Sequence, residues 1–445
     1  MTPTIKIPTG AYQLINRLNT AGFDAFAVGG CVRDSLMGKN PTDWDITTPA
    51  LPAQIAEIFA DTKQIGYGER HGTISVKAEG AYYEITTYRI DGAYSDGRRP
   101  DSVSFTPNLT DDLRRRDFTI NAMAFSPKTG LIDPFGGLDD INSKTIRCVG
   151  SPQDRFTEDY LRILRAYRFA ATLGFALDEK THHAAKNGRH NLDKIARERI
   201  GAEITKLLVS TNTESIVTFL EDCADVIFPD LAALRGLPQI NPHHIYDAYD
   251  HTIETLRHTP STLHQRLAAI YHDTGKLAVR TTDENGQDHF KNHENISHAI
   301  AERALTHYAL DNPTKNMTLA IIKNHMKAIP TERVALKQLT TKLTAQTIHE
   351  ILTFQLADNS AKSPLAAPRL TKIGQTKDLL EQILKEGEPI AIKDLALTGQ
   401  DIMRHLQIPP GPQVGKHLNA LLSAVIQDPA LNTKHSLINL IGETQ

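Results

Sequence analysis

The sequence contains only three cysteines, Cys31, Cys148 and Cys223, widely spaced and with no CxxC pair among them. That pattern speaks against a disulfide framework or a zinc ribbon and suits a reducing cytoplasm. Aromatic residues make up 6% of the chain, with a single tryptophan. No apolar run approaches the roughly 18 residues that a membrane helix needs. Nor does the N-terminal segment have the apolar stretch of a signal peptide, so a cytoplasmic protein with no membrane partner is expected. Charge of one sign is missing too. Against 52 Asp and Glu stand 49 Lys and Arg, a net charge of −3. Global charge therefore gives no hint of a nucleic acid, although a local basic face can still bind one. Residues 144–206 offer such a surplus, with 13 Lys/Arg against 8 Asp/Glu.

What is present is length and a change of texture along the chain. At 445 residues the sequence exceeds one ordinary core, which predicts roughly two to four domains. Up to about residue 150, short apolar runs alternate with turn residues: FAVGG (26–30), TISVKA (73–78), YYEITTYRI (82–90) and VSFTP (103–107). With a helical stretch at 50–59 between them, they predict an α/β head on a small mixed sheet. Beyond residue 151 the patterns turn helical. EDYLRILRAYRFAATLGF (158–175) reads as one helix stopped near Gly174, and 201–210 and 214–228 as two more. Turn clusters near 237–242, 311–313 and 363–368 divide the remainder. The predicted organisation is a head (1–150), an all-α neck (151–212), a helical body (213–370) and a helical tail (371–445).

The densest chemical signal lies in AFAVGGCVRDSLMGKNPTDWDITT, residues 25–48. Gly29 and Gly30 follow an apolar strand and let backbone N–H groups approach a triphosphate, with Arg33 in the helix that comes next. Asp43 and Asp45, two apart on a predicted strand, would present carboxylates to one face. Hard oxygen ligands so placed suit Mg²⁺, which also recruits phosphate oxygens. Glu84, on a neighbouring strand, is a candidate third acid. In RRDFTINAMAF (115–125), Arg115 and Arg116 supply fork-shaped donors for phosphate, and Asp117 or Asn121 can read a ribose hydroxyl.

The combination GGxxRD, then DxD, then RRDxxxN resembles the tRNA nucleotidyltransferase/poly(A) polymerase family, the bacterial-type branch of the polymerase-β-like superfamily. The resemblance extends along most of the chain and includes EDYLR (158–162), ARERIGAEI (196–204) and the stretch 395–432. It implies a polymerase-β-like nucleotidyltransferase head. It also implies two Mg²⁺ ions on Asp43 and Asp45, and triphosphate and ribose contacts from Gly29, Gly30, Arg33, Arg115, Arg116, Asp117 and Asn121. Residues 91–105 resemble the family's mobile loop, complete in length. Asp159 and Arg162 would read the Watson–Crick edge of C and A, because a carboxylate accepts from their amino groups and a guanidinium donates to their ring acceptors. Arg165 lies on the same flank, and Glu198 and Arg199 would brace it. As a bare helix pattern, Glu158, Arg162 and Arg165 would form a salt-bridge ladder.

In the body, His251, His272-Asp273 in HDTGK, and Asp358 fall in the order of HD-type metal-dependent phosphohydrolases, which they resemble. Imidazole and carboxylate together suit a transition metal such as Ni²⁺ or Mn²⁺. The fourth ligand is open: Asp358 fits by order, with His325 a rival or an addition, and His293 also lies between them. The leading expectation is CCA addition, the transfer of CMP and AMP from CTP and ATP to the 3′-hydroxyl of tRNA without a nucleic-acid template, by a monomer or homodimer. Poly(A) polymerase and CC- or A-adding specialists are the alternatives within the family. An HD phosphohydrolase with an RNA-binding head is the alternative of another class.

Overall fold

The computed structural model describes residues 5–68, 72–92, 94, 97 and 102–442. Residues 93, 95, 96 and 98–101 of the loop expected at 91–105 therefore lie outside the described residues. The chain forms two compact units, Met1–Phe228 and Pro229–Gln445.

In the first unit, the strands in chain order are β1 (Phe26–Val28), β2 (Asp45–Thr48), β3 (Gln64–Gly68), β4 (Thr73–Ala78), β5 (Ala81–Thr87), β6 (Arg89–Asp91), β7 (Val103–Phe105), β8 (Ala124–Ser126) and β9 (Gly130–Ile132). Seven of them form a mixed sheet in the order β3-β4-β5-β2-β1-β8-β9, while β6 and β7 pair separately. The β2–β5 pairing is parallel and the others antiparallel. Helices Thr9–Thr20 and Pro52–Ile58 cover one region of the sheet, the first burying Ala11, Leu14, Ile15 and Leu18. Phe26, Val28, Leu113, Ala122, Ala124 and Val149 form a second cluster beside the motifs.

The ladder explains where the glycine and aspartate motif of residues 25–48 ends up. Val28 pairs with Asp45 at the end of β1, and the chain then turns at Gly29 into the helix Gly30–Leu36. Asp43 has no strand opposite it, so it sits just before β2 rather than on it. Helix 158–175 also differs from expectation. One helix ends at Glu158, Asp159 is extended (φ −140°, ψ 105°), and a second helix runs Leu161–Leu173 to a left-handed Gly174. The break has a long-range cause: the Tyr160 N–H donates to the Gly97 carbonyl at 3.1 Å. Gly97 has φ +62°, and a Cβ there would fall 2.1 Å from the Tyr160 ring. Helix Thr213–Ile227 packs on Leu161–Leu173, with the rings of Tyr167 and Phe219 5.5 Å apart, which extends the first unit to Phe228.

The second unit is helical among its described residues apart from one short ladder, Thr281–Thr282 with Asp288–His289. Helices Ala248–His258, Leu263–Tyr271, His293–His307, Asn312–Asn324 and Ala345–Ser360 pack together, and Ala367–Lys385 lies along the last of them. Residues 395–441 bury a separate cluster that includes Ile402, Leu421, Val425 and Leu437.

Candidate active site

The head site is built on the edge where β1, β2 and β5 meet the motif loops. Ile46 pairs with Ile85 and both are fully buried, so the residues before them, Asp45 and Glu84, share the opposite face of adjacent strands. Asp43 and Glu84 are exposed and Asp45 is half-buried. Burial and the Asp43 charge push the Asp45 carboxyl up to about 6; Arg116 opposes the rise and Glu84 adds to it. Three carboxylates crowded this closely repel one another, and a divalent cation relieves that repulsion. The residues present therefore fit hard metal ions.

Gly29 takes φ +81°, and a Cβ there would lie 2.8 Å from Arg116 Nη1. The bare glycine thus lets the guanidinium come close to the turn, while the Asp45 charge acts on it from the strand side. Arg116 also pairs loosely with Asp112 Oδ2 at 3.7 Å. Arg33 Nη1 donates to Asn121 Oδ1 at 2.5 Å, Asn121 Nδ2 to Asp117 Oδ1 at 3.0 Å, and Arg165 Nε to Asp117 Oδ2 at 2.8 Å. This chain of bonds ties the helix after Gly30 to the RRD motif and on to the neck helix. Burial opposes the ionisation of Asp117, but the charge and bonds of Arg165, with Asn121, hold its carboxyl well below the usual range. The guanidinium groups of Arg33, Arg165 and Arg168 all lie against the Phe169 ring, at 5.1, 5.4 and 3.8 Å from its centroid.

Not every expected nucleotide contact converges. Arg115 turns to Asp112, 2.8 Å away, and to Asp91 at 3.8 Å. Asp112 is fully buried and also accepts from Thr47 Oγ1 at 3.3 Å. It organises both motif arginines and was not singled out from sequence. Its signal was the spacing DDLRRR, which puts Asp112 three and four residues before Arg115 and Arg116.

At the helix break, Asp159 Oδ2 pairs with Arg199 at 3.3 Å and its Oδ1 accepts from the Leu161 N–H at 3.1 Å. Arg162 bonds to Glu158, to the Arg155 carbonyl at 3.1 Å and to the Arg115 carbonyl at 3.0 Å. The ladder pair Glu158–Arg162 therefore exists, while Arg165 leaves it for Asp117 and Asp159 stands apart on non-helical backbone.

In the second unit, His251, His272, Asp273, His293, His325 and Asp358 are all buried and converge. His251 Nε2 lies 3.0 Å from Asp358 Oδ1, and His272 Nε2 lies 3.2 Å from Asp273 Oδ2. Both rivals for the fourth ligand, Asp358 and His325, reach the cluster. Burial and the neighbouring His272 and His293 push the His325 pKa down to about 3, so its ring is neutral. Lys276 and Lys362 each stand 2.6 Å from a carboxylate oxygen, of Asp273 and Asp358 respectively.

Comparison with known proteins agrees with these motifs. The family model described as "Poly A polymerase head domain" matches residues 25–147, the "Probable RNA and SrmB- binding site of polymerase A" matches 174–234, and a tRNA nucleotidyltransferase domain 2 matches 298–441. The CCA-adding enzyme of Lactobacillus helveticus is 44% identical over 233 residues, a match spanning 52% of this chain and 58% of that protein. For several such relatives the match thus spans little more than half of their length. That of Levilactobacillus brevis is 32% identical over 437 residues, 97% of each chain. Among solved structures, the Bacillus stearothermophilus CCA-adding enzyme in complex with CTP covers 98% of this chain and 96% of its own, at 28% identity and TM-score 0.68. The Thermotoga maritima CCA-adding enzyme complexed with tRNA shares the fold over 98% of this chain and 94% of its own, at 20% identity and TM-score 0.58. No described helix is long and apolar enough to cross a membrane. With a carboxylate cluster beside a glycine turn and relatives aligned from end to end, the chain belongs to the family of CCA-adding enzymes.

Proposed function

We propose that this chain rebuilds the CCA end of tRNA, transferring CMP and AMP from CTP and ATP to the RNA 3′-hydroxyl with release of pyrophosphate. The observation that carries the reading is the cluster of Asp43, Asp45 and Glu84 set against Gly29 and Arg116. Two Mg²⁺ ions held by Asp43 and Asp45 would supply nucleophile activation and neutralise the leaving pyrophosphate. Gly29 and Gly30 leave room for the triphosphate, and Arg116 and Arg33 border it with positive charge. Asp117 and Asn121, already bonded to each other, offer the ribose a fixed polar wall.

Base choice falls to Asp159 and Arg162. The extended backbone at Asp159 presents its carboxylate outside the helical ladder, and Arg199 holds it in place. Arg162 is anchored through the Arg115 carbonyl, which links the base-reading group to the RRD motif. The test is CMP incorporation into a tRNA ending at its discriminator base, by wild type and by Asp43→Ala and Asp45→Ala. The expected result is addition by wild type and a loss on the order of 10³-fold in both variants. Transfer within tenfold of wild type would refute the two-metal site.

The second unit supports a second activity. The convergence of His251, His272, Asp273 and Asp358 suits a transition ion such as Ni²⁺ or Mn²⁺ and hydrolysis of phosphate esters. Such an activity would expose the free 3′-hydroxyl that nucleotide addition requires.

A further inference from the structure

We infer that Phe169 is a positioning residue for the triphosphate, gathering Arg33, Arg165 and Arg168 on one ring while leaving their N–H donors free. The inference rests on the reading of the head as a nucleotide-transfer site and extends it to a side chain with no polar atom. Phe169 lies in the helix Leu161–Leu173 and is 6% exposed. The guanidinium carbons of Arg33, Arg165 and Arg168 stand 5.1, 5.4 and 3.8 Å from its ring centroid. All three fall within the roughly 6 Å over which a ring face attracts a cation. The ring is itself fixed edge-to-face on Phe118, with centroids 5.7 Å apart and planes at 79°. Phe118 is fully buried and directly follows Asp117 of the RRD motif.

Three cations gathered this closely repel one another, and two of them are largely out of water. The Arg33 and Arg168 side chains are 10% and 12% exposed. Burial lowers the pKa of Arg168, and the Arg165 charge lowers it further against the pull of Glu203. Carboxylates offset part of that cost. A carboxylate, however, steadies a guanidinium by taking N–H donors, the same donors a phosphate needs. A ring face attracts through its quadrupole and takes none of them. Asp117 takes Nε and Nη2 of Arg165, and Glu203 takes Nε of Arg168. Nη1 of Arg165 and both Nη atoms of Arg168 have no hydrogen bond among the described residues.

The ring also closes a circuit. Arg33 and Arg165 are joined at their outer ends through Asn121 and Asp117, and Phe169 touches both from the inside. The circuit borders the glycine turn, because Arg33 Nη2 lies 3.6 Å from where a Cβ on Gly30 would stand. Head and neck thus present their guanidinium groups as one preformed positive wall beside that turn. Leucine at position 169 would fill much of the space. The guanidinium groups would then be held only by carboxylate and amide groups that compete with phosphate for their donors, and the wall would have to be assembled on binding.

The test is calorimetric titration of the full chain with inorganic tripolyphosphate in excess Mg²⁺, which reads the positive wall without base or ribose. Phe169→Leu should weaken binding about tenfold, the loss of one or two partly desolvated cation–π contacts, whereas Phe169→Tyr should stay within about twofold of wild type. The KM values for CTP and ATP should rise together by a similar factor in Phe169→Leu, with kcat and the ratio of C to A added unchanged. Fluorinated phenylalanines at position 169 provide a second measurement should Phe169→Leu fail to fold. They keep the shape of the ring and drain negative charge from its face, so affinity should fall with each added fluorine. Wild-type affinity in Phe169→Leu, or affinity indifferent to fluorination, would overturn the inference while the nucleotide reading stands. A wild type that binds neither tripolyphosphate nor CTP would overturn both.

Discussion

Replacing Asp45 by asparagine is expected to stabilise the metal-free protein at neutral pH while removing nucleotide transfer. Burial and the charges of Asp43 and Glu84 raise the Asp45 carboxyl from 3.8 to about 6 against the pull of Arg116. A carboxyl whose pKa is higher in the folded state opposes folding once it ionises. Below pH 3.8 the group is protonated in both states and contributes nothing; the penalty grows between pH 3.8 and 6 and is complete above it. At about 1.4 kcal/mol per pH unit, the penalty at pH 7 is on the order of 3 kcal/mol. Asparagine keeps the shape and removes the charge. For a unit of this size, roughly 2–4 °C of melting temperature accompanies each kcal/mol. Thermal melts in EDTA at pH 7.5 should therefore place Asp45→Asn several degrees above wild type, with the gap closing at pH 4. Mg²⁺ should raise the wild type and not the variant, and its affinity for the wild type should fall as pH drops through about 6. A variant less stable than wild type at pH 7.5, or stabilised equally by Mg²⁺, would refute the picture of crowded carboxylates awaiting cations.

Four other outcomes follow from the geometry. Asp159→Ala and Arg162→Ala should relax base choice more than they weaken NTP binding, read as misincorporated U or G in competition assays with four NTPs. Arg199→Ala should reproduce the Asp159→Ala pattern in milder form, since Arg199 holds that carboxylate, and Arg199→Lys should restore part of the selectivity. Asp112→Ala leaves Arg115 and Arg116 without their buried counter-charge and should cost about 3–5 kcal/mol in urea unfolding. His272→Ala should leave CCA addition within a few-fold of wild type and abolish phosphohydrolase activity in the same preparation.

The parts of the site legible in the sequence are those whose chemistry is local. Gly29-Gly30, the Asp43/Asp45 pair and RRDxxxN each lie within a few residues, so spacing alone suggests what they can do. The fold brings Glu84 in across the β2–β5 pairing, which strand periodicity could suggest but not fix. Features set by distant contacts were hidden. The helical pattern of LRILRAYRF continues upstream through Asp159 without a breaker residue, and the interruption depends on a bond from Tyr160 to Gly97. Arg165 was legible as a basic helix position, but its bond to Asp117 joins residues that only the packing of neck against head brings together. In the second unit the order of His and Asp residues suggested a shared set of ligand-type side chains, and those side chains do converge. The choice between Asp358 and His325 could not be made from order, because two helices deliver both to one cluster around Asp273.

CCA addition is separated from its alternatives by sequencing the 3′ ends that the purified chain leaves on a tRNA lacking CCA when all four NTPs and Mg²⁺ are present. The expected ends stop at CCA, with U and G absent and no extension beyond the terminal A. Ends of CC alone, A alone or long A tracts, or a tRNA left unchanged, would contradict CCA addition.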